Sequence, residues 1–129
     1  MTDARQIRLD PDPLERYLLS QGFRVGNFVI VSGQAALDEH VQVVGVGDFD
    51  AQAKQTFRNL SRVLEAGGSS LDRIVKVTIF LTDMTNFGKV VELRRRWFTP
   101  PYPADTIVEV GSLALPQLEI EIEAIATAG

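Results

Sequence analysis

The sequence predicts an α+β fold built on one sheet with two helices, and three observations predict it. A hairpin signature lies near the start, two helical patterns alternate with β segments, and two further β segments close the chain. The order is strand, strand, helix, strand, helix, strand, strand, with two crossovers. No repeat, linker or low-complexity tract interrupts the 129 residues, so residues 1–129 are expected to form a single domain.

Residues 1–20 are polar and broken by Pro11 and Pro13, which predicts an unpaired or edge segment with a short apolar patch at Leu18 and Leu19. From Phe23 the chain runs FRVGNFVIVSGQ, where β-branched and aromatic residues flank Gly26-Asn27, as in a hairpin. The second arm, Phe28 to Val31, is apolar on both faces and is expected to stop at Ser32-Gly33. After a polar stretch from Asp38 to Gly47, Asp48 or Asp50 offers a side-chain oxygen to the free amides of a first helix. Ala53, Phe57, Leu60 and Leu64 recur at helical spacing, and Gly67-Gly68 supplies the stop.

Ile74 to Leu81 alternates as a central strand, with Val75, Val77, Ile79 and Leu81 sharing a face. Asp83 or Thr85 opens a second helix with an apolar stripe at Phe87, Val90, Val91, Trp97 and Phe98, and Pro100-Pro101 ends it. Ala104 to Val110 and Glu119 to Ala126 are the last β segments. Two helices cover one face of such a sheet when both crossovers wind the same way. The other face is also partly apolar, at Phe28 to Val31 and at one of Ile107 and Val108, which predicts a homo-oligomer packed sheet to sheet.

Composition narrows the function. There is no cysteine and only one histidine, His40, which removes disulfides, thiol catalysis and the common zinc sites; no metal or cofactor is expected. Thirteen basic against seventeen acidic residues give a net charge of −4, unlike the field of a nucleic-acid binder. No apolar run is long enough for a membrane span, and the start lacks a signal-peptide core, so a cytoplasmic protein is expected without membrane or nucleic-acid partners. The basic run Arg94-Arg95-Arg96 spreads around a helix and suits a solvated face or salt bridges between subunits. Gly45-Val46-Gly47 is a turn, and His40 is a surface residue.

Glu119, Glu121 and Glu123 alternate with isoleucines, which stacks three carboxylates on one strand face at about 6.6 to 6.8 Å intervals. Such a face is either solvated and salt-bridged or, where partly desolvated, a source of a general base with raised pKa. Alternation alone does not choose among the three. Ser32, at the expected end of its strand, has no nearby histidine to activate it.

Several linked segments carry a resemblance: Arg24-Val25-Gly26-Asn27, Val31-Ser32-Gly33-Gln34, Ile74 to Asp83, Val108-Glu109-Val110 and Ile120 to Ala126. From about Ser20 to the C-terminus they resemble, in order and spacing, the RidA (YjgF/YER057c/UK114) family. The resemblance implies a chorismate-mutase-like α+β fold and a homotrimer whose sheets form a central barrel, with three small-molecule clefts between subunits. It also implies hydrolysis of enamines and imines to 2-oxo acids and ammonia. In such a site an arginine grips the substrate carboxylate and a glutamate near the C-terminus holds or activates water.

By that alignment the glutamate is Glu121 and the cleft serine is Ser32. The arginine is absent, because the usual Pro-Ala-Arg-(Ser/Thr) segment reads Pro103-Ala104-Asp105-Thr106. Ile107 stands where some members have cysteine, Val91 where some have asparagine, and Leu19 where the family has a cleft tyrosine. Tyr17, offset by two residues, can substitute only if the segment bends. A bare carboxylate at 105 opposes an incoming one by about 1 kcal/mol at 4 Å in water, and by about 4 kcal/mol at an effective dielectric of 20.

Ordinary 2-imino acid deamination is therefore expected to be weak or absent. Asp105 faces a neutral or cationic part of an altered substrate, forms a carboxylate pair with Glu121, or is a solvent-facing or arginine-paired strand residue. The expected function is a RidA-like hydrolase or deaminase with changed specificity; the alternative is a non-catalytic trimer binding a small metabolite or a partner protein. Ribonuclease activity, reported for some relatives, finds no support in the acidic balance or in the lack of a second histidine.

Overall fold

The structure is a computed structural model that describes residues 3–129. Six strands form one sheet in the order β1-β2-β3-β6-β4-β5: β1 Ala4–Ile7, β2 Gly22–Val25, β3 Phe28–Ala35, β4 Ile74–Leu81, β5 Ala104–Glu109 and β6 Ile120–Thr127. Helices α1 (Phe49–Ala66) and α2 (Phe87–Trp97) are the crossovers. Only β4 and β5 pair in parallel; every other neighbour is antiparallel.

The local signals account for most boundaries. Asp48 caps α1 by accepting the Ala51 amide at 3.1 Å, and Gly68 takes the left-handed φ of +85° just past the helix end. Ala53, Phe57, Leu60 and Leu64 of α1 are all buried at 1% exposure or less, packed on the β3–β6–β4 face. Phe57 stacks on Trp97 with centroids 5.2 Å apart and meets Phe98 edge-on, which ties α1 to the end of α2. The hairpin turns at Gly26, where φ is +59°. The polar N-terminal segment supplies an edge strand, β1, as one of the two expected alternatives.

Five details differ from expectation. Val75 does not share the buried face of β4: a register shift between Ile74 and Lys76 turns it outward at 44% exposure, so Ile74 lines that face with Val77, Ile79 and Leu81. Strand β3 does not stop at Ser32-Gly33; a register shift between Val31 and Gln34 carries it through a bulge to Ala35. Glu119 lies before β6, its amide donating to Gln52 Oε1 of α1 at 2.8 Å, so only Glu121 and Glu123 alternate on the open face of that strand. Phe87 and Val91 leave the core stripe of α2 and are 45% and 37% exposed, because the helix turns only Val90 fully inward. A short 3-10 turn, Met84–Asn86, comes between Asp83 and α2, and Asp83 caps that turn rather than the helix itself.

The open sheet face is apolar, as expected. Phe28 is 50% exposed and Ile30 46%, and Ile30 sits directly across from Ile125. Ile107 packs toward the core, whereas Val108 points to the open face. No helix among the described residues is long and apolar enough to cross a membrane.

Candidate functional site

Glu121 is half-buried on β6, paired across the ladders with Ala35 of β3 and Phe80 of β4. The β3 bulge places Gly33 beside it so closely that a Cβ on Gly33 would stand 2.5 Å from Glu121 Oε2 and 2.8 Å from its Cδ. Burial, with Glu123 as a like-charged neighbour, pushes the Glu121 carboxyl above its ordinary value. No ion pair among the described residues offsets that charge.

Ser32, in the same bulge, donates its hydroxyl proton to the Ser20 carbonyl at 2.6 Å, while its amide donates to the Gln21 carbonyl. With its proton committed, the Ser32 oxygen serves as an acceptor. The buried Gln34 amide holds the same segment by donating to Gln21 Oε1 and to the Ser32 carbonyl. The Ser20 segment also bends: a 3-10 turn over Glu15–Tyr17 is followed by Leu18 at φ +61°. Tyr17 and Leu19 flank that bend and are 55% and 54% exposed. Glu121, Ser32, Gly33 and the Ser20 segment thus form one group.

Asp105 belongs to a different group. It is in register with Val77, whose side chain faces the helices, whereas Glu121 is in register with Phe80 on the opposite parity. Asp105 and Glu121 therefore point from opposite faces of the sheet, and within one protomer they do not form a carboxylate pair. Asp105 is instead clamped by Arg94 of α2: Nε donates to Oδ2 at 2.8 Å and one Nη to Oδ1 at 3.1 Å. Both side chains are largely buried, at 23% exposure for Arg94 and 15% for Asp105.

The basic run accordingly divides. Arg94 makes this internal pair rather than a solvated or intersubunit contact, Arg95 pairs with Glu92 at the surface, and Arg96 lies over the Trp97 ring. Val91 and Arg94 line a cavity with Asp105, and Ile107 backs the strand two residues on. His40 is exposed, 3.6 Å from Glu39.

Two residues of this arrangement escape sequence reasoning. Gly33 carries no chemistry of its own, and its importance shows only once Glu121 is seen to occupy its missing side chain. Arg94 sits in a run of three like residues, and the only signal that could single it out was the acidic residue at 105. No cluster of metal-ligating side chains occurs among the described residues.

A single sheet with two helices as its crossovers carries a half-buried glutamate beside a bulged serine-glycine pair. Residues 8–128 match the family described as "Endoribonuclease L-PSP". The chain is 40% identical to a RutC family protein of Pyrococcus abyssi over 116 residues, 90% of this chain and 89% of that protein. It is 33% identical over 117 residues to the 2-iminobutanoate/2-iminopropanoate deaminase of Dermatophagoides farinae, covering 91% of this chain and 89% of that protein. The crystal structure of RidA from an Antarctic Psychrobacter superposes with a TM-score of 0.86 at 35% identity, covering 95% of this chain and 98% of that one. The chain belongs to the RidA (YjgF/YER057c/UK114) family and has its fold.

Proposed function

We propose that this protein hydrolyses small imines or enamines in clefts between the protomers of a homotrimer, with Glu121 as the group that holds and activates water. The observation that carries the reading is Glu121 itself: a half-buried carboxylate, raised in pKa and free of an ion pair, laid over a glycine that makes room for it. A base of that kind takes a proton from water as the oxygen adds to the C=N carbon; the resulting carbinolamine expels ammonia and leaves the carbonyl product. The Ser32 oxygen accepts a hydrogen bond from the imine N–H or from the water. Relatives in Dermatophagoides farinae and Mus musculus named 2-iminobutanoate/2-iminopropanoate deaminase support this chemistry.

The division of the candidate residues into two groups on opposite sheet faces supports a cleft shared by two protomers. One chain brings Glu121, Ser32 and the Tyr17–Leu19 bend, and its neighbour brings Asp105, Ile107 and Val91. The apolar open face offers the surface on which protomers associate. The substrate differs from that of relatives with arginine at the position of Asp105. The Arg94 pair offsets the repulsion expected from a bare carboxylate, but the strand itself presents no guanidinium. Short 2-imino acids are therefore turned over more weakly than by those relatives. A cytoplasmic location is part of the same reading.

The test generates a panel of imines in situ with amino-acid oxidases and follows semicarbazone trapping. The protein competes with the trap for at least one imine, and Glu121→Ala abolishes that competition. Absence of competition across the panel, or unchanged competition by the variant, overturns the assignment.

A further inference from the structure

A cavity of about 420 Å³ opens between the C-terminal half of α2 and the start of β5. Its walls are apolar at Val91, Phe98 and Pro103, and Tyr102 contributes a half-exposed phenol. Two guanidinium groups line it, and they are not equivalent. Arg95 is spread into solvent and bonded to Glu92. Arg94 is largely buried, held at one edge by both Asp105 oxygens, with its guanidinium carbon 5.8 Å from the Phe87 ring centroid.

A guanidinium carries five N–H donors, and the Asp105 pair takes two of them. The other three lie on the two Nη atoms, and the Nη1–Nη2 edge is a second two-pronged fork that matches a carboxylate in shape and charge. None of these donors is buried without a partner, so an anion reaches them from solvent and offers a charged acceptor. The geometry differs from a free surface arginine in one decisive respect: Asp105 has already fixed the side chain, so little rotamer freedom is lost on binding.

We infer that Arg94 is the anion-binding residue of this cavity and that its ligand is a small organic carboxylate with a short apolar body. The carboxylate meets the Nη1–Nη2 edge, and the body lies along Val91 and Phe98. Asp105 is a positioning residue, and the recognition cation is carried by a helix rather than by the strand. The inference rests on the proposed function only in naming the carboxylate as part of the imine substrate and of its 2-oxo acid product.

The test titrates the intact protein with 2-oxobutanoate and with benzoate, neither of which needs turnover to bind. Calorimetry is expected to give a Kd at or below about 1 mM for one of them. Arg94→Gln weakens binding about 10-fold or more, Arg94→Lys restores part of it, and Arg58→Gln, at an exposed arginine of α1 that lines no part of the cavity, binds as the native chain does. Asp105→Asn weakens binding by a smaller factor and erases the preference for a flat carboxylate over a round anion such as chloride, which a purely structural role would not do. Should Arg94→Gln fail to fold, the Arg94 Nε–H resonance of the unaltered protein is followed instead, and it shifts on titration. Native binding too weak to detect, binding unchanged in a folded Arg94→Gln, or an Arg94 resonance unmoved at saturation each overturns the inference. Carboxylate binding through Arg94 without imine turnover defeats the proposed function alone, whereas turnover indifferent to Arg94 defeats this inference alone.

Discussion

Gly33 and Glu121 share one volume: the side chain that Gly33 lacks would collide with the carboxylate of Glu121, 2.5 Å from Oε2. The bulge in β3 brings the two residues together, and the collision involves the far end of a flexible side chain rather than backbone. Gly33→Ala therefore pushes the carboxylate aside while the sheet stays intact. Stability is expected to fall by less than about 1 kcal/mol, whereas a displacement of order 1 Å at a catalytic base lowers turnover by about 100-fold. Thermal melting and the imine-trapping assay on the same variant check both halves, and a folded Gly33→Ala enzyme with native turnover would separate Glu121's placement from its function.

The titration of Glu121 sets two pH dependences with opposite senses. As the proposed base it works ionised, so turnover is expected to rise with pH through its pKa, and burial plus Glu123 places that limb above the ordinary carboxylate range of about 4.3. Glu123→Gln removes the like charge and moves the limb to lower pH. For stability, a raised folded-state pKa means that the protonated form favours folding below the unfolded value, and that this favour is lost as pH rises through the folded value. Ionised Glu121 thus costs stability at neutral pH. Glu121→Gln raises the melting temperature at pH 7, and the gain disappears as the pH falls below about 4.

The Arg94–Asp105 pair gives a stability prediction that does not depend on any ligand. Each member is largely buried, so removing one strands the other's charge. Arg94→Gln and Asp105→Asn each lose about 1–3 kcal/mol, and the double variant loses clearly less than the sum. Chemical denaturation of the four proteins measures this. Additive losses would mean that the pair contributes no coupling to the fold.

How far the sequence displays all this depends on where each cause lies. Strand β4 is legible from Val77 to Leu81 because the reason for that stretch is local alternation, while the irregularity that turns Val75 outward is set by pairing with β6; α1 is legible because Asp48, the Phe57–Leu64 stripe and Gly68 state its start, face and end. The bulge is not legible, since Gly33 is required by a side chain that enters from β6 far along the chain. Arg94 is hidden for a related reason: three consecutive arginines define no inward direction, and only the roll of α2 on β5 decides which one meets Asp105. Glu121 could be placed by resemblance, while its separation from Asp105 by the thickness of the sheet follows from strand register, which alternation within either strand alone does not reveal.

The open sheet face supplies the last prediction. Ile30 is 46% exposed and lies across from Ile125, in a patch that also contains Phe28. In the proposed trimer these residues leave water, and burying one aliphatic side chain contributes roughly 1.5–3 kcal/mol. Ile30→Asp forfeits that contribution and places a charge in the contact, yet in the isolated protomer the side chain points to solvent, so the fold itself tolerates it. Light scattering is expected to give a trimer for the native chain and a folded monomer for Ile30→Asp at micromolar concentration. The monomer retains its melting transition and loses imine turnover, because in the proposed trimer Glu121 and the Arg94 cavity meet only across two protomers. A native chain that runs as a monomer, or an Ile30→Asp monomer with full turnover, would place the whole site within one chain and sink the shared-cleft reading.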